Sequence, residues 1–155
     1  MRKLIFAAVM LLVTTMSFAQ PKVGDTAAEI SLKGMNGKQV NLTSFRGKVV
    51  LVDFWASWCK PCRKSFPQLK SVYDAYKRKG FEVYSVSVDM DPADWKAAAS
   101  SEKLNWVLVN DTSGDVAVKW DVNYIPNSFL LDKNGKIVAI NPSHEELKRL
   151  LGAML

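Results

Sequence analysis

Residues 48–54, KVVLVDF, form an apolar run rich in β-branched side chains that leads within a few positions into a helical pattern. A run of this kind is typical of a strand buried on both faces, as in a sheet covered by helices. The only two cysteines of the chain, Cys59 and Cys62, lie at the junction. The fold must therefore place both sulfurs between the end of a buried strand and the first turn of a helix.

The order of the other elements predicts an α/β fold. Before the buried run, residues 29–42 read as two short strands around a Gly34…Gly37 turn, which predicts a hairpin. After the cysteines the pattern predicts a helix ending at Gly80, a buried strand over 81–89, a helix over 91–102, a short strand over 106–109, a short helix over 113–122, a hairpin over 127–140 and a closing helix over 143–154. Buried strands that alternate with helices imply a central sheet, parallel in its first part, with helices on both sides.

The first 19 residues predict a secretory signal peptide. Arg2 and Lys3 precede the apolar run at residues 4–13, and the small-x-small triplet at 17–19 provides a cleavage site. A membrane anchor is the alternative, but spanning a bilayer takes about 20 apolar residues, and this run is much shorter. We therefore expect a mature domain over residues 20–155 in the periplasm or another extracytoplasmic compartment.

Composition indicates a single globular domain. The chain has 155 residues, of which 48% are hydrophobic, enough to bury a core without a disulfide. The formal charge of +6 falls to +4 (6 − 2) once Arg2 and Lys3 are removed. The remaining lysines are scattered among acidic residues, which does not favour nucleic-acid binding.

Two adjacent cysteines can form a structural cross-link, a metal site or a redox couple. A cross-link stabilises most when it closes a long loop, and a C-x-x-C bridge closes almost none. A structural zinc site needs four ligands, and the chain offers only His144 besides the two cysteines. We expect no metal here and favour the redox couple, with His144 as a solvent-facing residue of the closing helix.

The position of the pair predicts a division of roles. Backbone N–H groups at a helix N-terminus stabilise an anion, and Lys60 and Arg63 add positive charge. Cys59 is expected to be the exposed nucleophile, its pKa lowered from about 8.5 to roughly 7. Cys62 is expected to point inward and to resolve the mixed disulfide that Cys59 forms. Pro61 stiffens the ring between them.

The segments VDFWASWCKPC and IPNSFLLDKNGKIV resemble the thioredoxin superfamily, most closely its exported thiol–disulfide oxidoreductases of the TlpA and ResA type, related to those serving cytochrome c maturation. The resemblance implies a thioredoxin-like fold: a central mixed sheet flanked by helices, with an N-terminal β-hairpin extension from residues 23–48. It also implies a monomeric reductant of protein disulfides. Such an enzyme needs no cofactor beyond its redox-active disulfide, and after export it depends on a membrane-bound electron donor.

The resemblance also assigns a substrate groove. Ile125-Pro126 aligns with the superfamily's cis-proline, which lies against the cysteine pair. Ile125 would offer its backbone groups to an extended substrate segment, and Pro126 would keep metal ions from the thiols. Trp58 is expected at the rim, with Lys60 and Pro61 on the substrate side.

Asp53 is an acid inside the apolar run, where it is costly unless it is paired or functional. The resemblance to thioredoxins implies that it lies beneath Cys62, has a raised pKa and accepts the Cys62 proton. The nearer ResA-type relatives instead carry a Glu three positions after the second cysteine, where this chain has Ser65. Asn127 likewise replaces the Thr usual after the cis-proline. Proton handling is therefore expected to resemble that of thioredoxin.

Two other functions stay open at this point. A thiol peroxidase of the peroxiredoxin type would carry a Pro-x-x-x-Thr-x-x-Cys segment, which this chain lacks. A non-catalytic binding module or copper or haem chaperone would use the C-x-x-C pair as an inert disulfide or as a ligand site. Reduction of insulin disulfides that depends on Cys59 separates the first hypothesis from both.

Overall fold

The computed structural model describes residues 21–155, so the expected signal peptide at 1–19 lies outside the described part. The elements in chain order are β1 (Ser31–Gly34), β2 (Gln39–Asn41), β3 (Val49–Trp55), α1 (Lys60–Tyr76), β4 (Phe81–Ser87), α2 (Pro92–Ser101), β5 (Val107–Asn110), α3 (Asp115–Lys119), β6 (Asn127–Leu131), β7 (Ile137–Ile140) and α4 (His144–Met154). Each element expected from the sequence is present, with shifts of a few residues at the ends. None of the helices over residues 21–155 is long and apolar enough to span a membrane.

The strands form one mixed sheet in the order β2-β1-β5-β4-β3-β6-β7. β3, β4 and β5 run parallel, whereas β6 pairs with β3 antiparallel. The predicted N-terminal hairpin is β1–β2, and it joins the sheet through antiparallel pairing of β1 with β5. The structure therefore confirms a central sheet that is parallel in its first part and carries a hairpin extension.

β3 lies inside the sheet, between β4 and β6, and is buried along its whole length. Since side chains alternate between the faces of a strand, Leu51 and Trp55 face one side and Val52 and Phe54 the other. The first set belongs to the cluster formed with α1, α2 and α4, and the second to the cluster around Trp120. By this alternation Asp53 belongs to the face that α1 covers.

The aromatic side chains fill both clusters. Four tryptophans are buried: Trp55, Trp95, Trp106 and Trp120. Phe66 of α1 packs edge-on against Trp55 at 5.2 Å and against Trp106 at 6.1 Å between ring centroids. These contacts fix the first turns of α1 against the sheet, and thereby the position of the cysteine pair.

The helix starts follow the capping chemistry in the sequence. The Asp91 side chain accepts the Ala93 N–H at 2.8 Å, and Pro92 takes the first position of α2. The Ser143 hydroxyl accepts the Glu146 N–H at 3.1 Å and so caps α4. Each cap satisfies one of the N–H groups that a helix start leaves without a partner.

Candidate active site

Cys59 and Cys62 form a disulfide at the junction of β3 and α1, with an S–S distance of 2.02 Å. Cys59 is the N-cap of α1, and its sulfur accepts the backbone N–H of Cys62 at 3.2 Å. Pro61 lies in the first turn of α1, where a backbone N–H would have no partner within the helix, so proline costs no hydrogen bond there. The sulfur of Cys59 is therefore held where the helix N-terminus stabilises a negative charge.

The expectation that Cys59 is exposed is wrong for this disulfide form. Cys59 is 4% exposed and Cys62 1%. The Cys59 sulfur is bonded to Cys62 and also turned onto the first-turn N–H, which directs it towards the helix rather than towards solvent. A reacting thiol must therefore approach along the exposed residues beside it, Trp58, Lys60 and Pro61.

The positive charge expected from Arg63 is neutralised. Its Nε and Nη2 atoms both lie 2.7 Å from Oε1 of Glu102, at the end of α2. Charge-assisted contacts of this kind confine the field of the guanidinium. Lys60 lies exposed at the start of α1, where solvent screens its charge.

Asp53 lies on β3 and is 9% exposed. The Ser85 hydroxyl donates to Asp53 Oδ2 at 3.4 Å and itself accepts the Trp106 indole N–H at 2.9 Å. Burial raises the pKa of Asp53 to about 7, and the Ser85 hydrogen bond opposes this rise. A carboxyl group with this pKa can both take up and release a proton near neutral pH.

Asp53 opens into a cavity of about 370 Å³. Ser65 from α1, Pro126 from the loop before β6 and His144 from α4 also line it. Asp53 and Ser65 therefore face the same space. The Ser65 hydroxyl donates to the Cys62 backbone carbonyl at 2.7 Å, one turn earlier in α1.

His144 does not face open solvent as expected. It is half-buried at the start of α4 and lines the Asp53 cavity together with Tyr124. The sequence predicted that His144 lies in the first turn of α4, but it gave no indication that the loop carrying Tyr124 packs opposite. Within residues 21–155, no three His, Cys, Asp or Glu side chains are grouped so that they could hold a metal ion.

A second concave surface lies on the other side of the Ile125-Pro126 peptide, which is cis. Trp58, Val88, Val122, Tyr124 and Ile125 line a groove of about 390 Å³. Trp58 is 67% exposed. The structure thus brings Trp58 and Ile125 together on one groove, while Pro126 lies on the Asp53 cavity and Lys60 and Pro61 lie exposed at the start of α1.

Comparison with known proteins agrees with this geometry. Residues 23–140 match the model of the AhpC/TSA family. The chain belongs to the AhpC/TSA family. It is 35% identical to the thiol–disulfide oxidoreductase ResA of Geobacillus thermodenitrificans, over 76% of this chain and 68% of the relative. ResA of Bacillus subtilis is 33% identical over 76% of this chain and 65% of its own length.

Solved structures place this AhpC/TSA member among thioredoxin-like proteins. The thioredoxin domain of a thiol–disulfide oxidoreductase from Bacteroides vulgatus superposes with a TM-score of 0.80 at 36% identity, covering 85% of this chain and 96% of that one. A putative thiol:disulfide interchange protein DsbE from Chlorobium tepidum gives 0.81 at 34% identity, covering 87% and 99%. The thioredoxin-like fold and the thiol–disulfide oxidoreductase activity expected from the sequence are thereby confirmed.

Proposed function

We propose that this chain is an exported thiol–disulfide oxidoreductase that reduces disulfide bonds in proteins. The observation that supports it most directly is the Cys59–Cys62 disulfide at the start of α1, with the Cys59 sulfur on a helix N–H. In the dithiol form, that N–H and the helix dipole stabilise the Cys59 thiolate. The electrons reside on the two sulfurs, so the reaction needs no dissociable cofactor.

The reaction has two exchange steps. The Cys59 thiolate attacks one sulfur of the substrate disulfide, and the other substrate sulfur leaves as a thiolate that takes a proton from water. Cys62 then loses its proton and attacks Cys59, which releases the second substrate sulfur and closes the Cys59–Cys62 disulfide. Two electrons have passed from the cysteine pair to the substrate.

Asp53 is the proposed base for Cys62. A burial-raised pKa of about 7 matches the task of taking a thiol proton and later releasing it to water. Ser65 lines the same cavity and donates to the Cys62 carbonyl, so the cavity of Asp53 extends to the turn of α1 that carries the second cysteine. Transfer from Cys62 to Asp53 through water in that cavity fits this arrangement.

The groove beside the cysteines is the proposed substrate site. Trp58 offers an exposed apolar face, and Ile125 offers backbone groups to an extended segment, as in strand addition. Lys60 and Pro61 flank the entrance, and Pro126 excludes metal ions from the thiols. A crystal structure of the mixed disulfide with a substrate peptide tests this: a peptide bound away from Trp58 and Ile125 would remove the assignment.

The direction of catalysis is proposed to be reductive. A strong oxidant needs a highly stabilised thiolate, often helped by a His between the cysteines, and this chain has Lys60 and Pro61 there. A reductant that works outside the cytoplasm must itself be reduced again, which implies a membrane-bound dithiol donor. We further propose that the enzyme acts as a monomer, which sedimentation at working concentration checks.

Export is proposed from the N-terminal sequence. The charged Arg2 and Lys3, the apolar run at 4–13 and the cleavage triplet at 17–19 form a secretory signal. We expect the protein recovered from its host to lie outside the cytoplasmic membrane and to begin at Gln20. Amino-terminal sequencing after cell fractionation measures both, and a cytoplasmic chain that keeps residues 1–19 would contradict the proposal.

Insulin-disulfide reduction tests the function. With dithiothreitol as electron source, residues 20–155 should accelerate precipitation of the insulin B chain, whereas the double variant C59S/C62S should not exceed the uncatalysed rate. Peroxide consumption measured in parallel separates the peroxidase hypothesis, which Val52 and Ala56 disfavour because they replace the Pro and Thr of that motif. Failure to accelerate insulin reduction would refute the proposed function and favour a non-catalytic module.

A further inference from the structure

A buried carboxylate lies directly behind the loop that carries Cys59. Asp89, just after β4, is 2% exposed. Its Oδ2 accepts the Ser57 N–H at 2.9 Å, its Oδ1 accepts the Ser57 hydroxyl at 2.7 Å, and the Ser87 hydroxyl donates to Oδ2 at 2.7 Å. All three partners donate. Both carboxylate oxygens therefore act as acceptors, and neither is left without a partner.

The backbone of Asp89 and the hydroxyl of Ser87 are anchored from β5. The Asn110 amide donates to the Asp89 carbonyl at 2.9 Å and to the Ser87 hydroxyl at 3.2 Å, and the Ser87 hydroxyl also accepts the Asp89 N–H at 3.0 Å. The side-chain oxygen of Asn110, Oδ1, in turn accepts a hydrogen bond from the Thr112 hydroxyl at 2.6 Å. Every member of this network has a partner, and a fully satisfied buried network holds its members in one arrangement.

Ser57 is therefore fixed at each of its polar groups. Its N–H and hydroxyl are bound to Asp89, and its carbonyl accepts an Arg63 N–H at 3.4 Å. Further along the loop, the Cys59 N–H donates to the Ala56 carbonyl at 3.0 Å. The segment from Ala56 to Cys59 is thus held in place by Asp89 from below and by Arg63 from α1.

The charges around this loop do not cancel. Arg63 is paired with Glu102 at 2.7 Å, and Lys60 lies in solvent, where its field is screened. Asp53 lies on the Ser65 side of the pair, and burial raises its pKa to about 7. In the part of the chain that the structure describes, no Lys or Arg nitrogen lies within salt-bridge distance of Asp89.

We propose that Asp89 is a positioning residue that fixes the Cys59 loop and whose uncompensated negative charge opposes the Cys59 thiolate, so that the protein remains a reductant. The inference rests on the proposed function, because it concerns the same two sulfurs. A helix N-terminus alone stabilises the thiolate and with it the dithiol form, which makes a protein more oxidising. A buried anion close behind the loop counteracts that stabilisation and favours transfer of electrons to the substrate.

Chain dimensions set the size of the effect. Cys59 is two residues from Ser57, so the reach of the chain keeps its sulfur within about 14 Å of the Asp89 carboxylate. At that separation, with an effective dielectric constant of about 20, one unit charge changes a thiol pKa by about 0.5 to 1. For a thiol that titrates near pH 7, the equilibrium between dithiol and disulfide then changes by about two- to fivefold at pH 7.

Asp89→Asn keeps the shape of the side chain and removes its charge. We expect the pKa of Cys59, followed by thiolate absorbance at 240 nm in the reduced protein, to fall by about 0.5 to 1. Equilibration with glutathione should show about two- to fivefold more dithiol form at pH 7. Loss of loop positioning alone would do the opposite, because it would take the sulfur away from the helix N–H and raise the pKa of Cys59.

Ser57→Ala is the matched control. It keeps the Asp89 charge but removes one donor, so the carboxylate acts on Cys59 with less compensation, and the pKa of Cys59 should rise by about 0.2 to 0.5. The proposal is overturned if Asp89→Asn leaves the pKa of Cys59 unchanged or raises it. Should Asp89→Asn not fold, an unchanged or lower Cys59 pKa in Ser57→Ala overturns it instead.

These readouts are independent of turnover. The thiol titration and the glutathione equilibrium need no protein substrate, so they test Asp89 even where insulin reduction fails. A wild-type protein that does not reduce insulin while Asp89→Asn lowers the pKa of Cys59 refutes the proposed function and leaves the role of Asp89 standing. A wild-type protein that reduces insulin, together with an Asp89→Asn variant in which the pKa of Cys59 does not fall, refutes the role of Asp89 and leaves the proposed function standing.

Discussion

Cys59→Ser is expected to lower insulin reduction by at least about 10³-fold, because it removes the nucleophile of the first exchange. Cys62→Ser is expected to give a different defect. Its Cys59 thiolate still sits at the helix N-terminus and still attacks, but no second thiol follows to release the substrate. The covalent complex should therefore accumulate to one equivalent per enzyme. Mass spectrometry under non-reducing conditions measures it.

Lys64→Ala provides the control for these two variants, because Lys64 is exposed on the same first turns of α1. It should turn over at close to the wild-type rate. A covalent complex in Cys59→Ser and none in Cys62→Ser would reverse the assigned roles. Expressed in the host, Cys62→Ser should also capture physiological substrates. The oxidised wild-type protein should form only a transient mixed disulfide with the reduced membrane donor.

Most of the architecture could be predicted because it depends on local pattern. The β-branched run at 48–54 required a strand buried on both faces, and it became β3, an interior strand between β4 and β6. The Ser143 and Asp91 caps and the Asn-Gly turn before β7 are encoded within a few residues. The C-x-x-C pair at a strand–helix junction likewise identified its own chemistry without any long-range information.

The parts that could not be predicted depend on partners distant in sequence. Arg63 was expected to act on the thiols, but it is paired with Glu102, 39 positions away. Ser57 gave no signal of its bonds to Asp89, which lies 32 positions away. His144 reaches the Asp53 cavity because α4 packs against α1, and such packing is a property of the fold. Which charges are paired and which residues line a cavity are therefore the properties that are hardest to predict from a single sequence.

Asp53→Asn is expected to stabilise the protein at alkaline pH while it impairs catalysis. The pKa of Asp53 is about 7 in the folded chain, against an ordinary value of 3.8. Below pH 3.8 both states are protonated and the group makes no difference. Between the two values only the unfolded chain ionises, so each pH unit lowers the free energy of unfolding by about 1.4 kcal/mol. The loss is complete above pH 7 and amounts to about 4 kcal/mol.

An asparagine at position 53 does not ionise in either state, so this loss of stability does not occur. Urea unfolding should therefore show Asp53→Asn to be more stable than wild type by about 2–4 kcal/mol at pH 8 and equally stable near pH 3.5. Ser85→Ala is the control, because it removes the Ser85 hydrogen bond to the carboxyl and keeps the acid. A stability difference that does not vary with pH would show that Asp53 is charged when folded.

The same variant should slow the second exchange step. Without a carboxyl group in the cavity, the Cys62 proton must go directly to water, so we expect decay of the pre-formed mixed disulfide to be about 10²-fold slower at pH 7. The rate should then rise with pH as Cys62 ionises by itself, and the wild-type inflection near pH 7 should disappear. Stopped-flow decay of the mixed disulfide across pH 5–9 measures both. A buried acid that costs stability at neutral pH and also sets this inflection is retained for proton transfer, and a variant that is more stable yet retains the wild-type pH profile would leave Asp53 without that role.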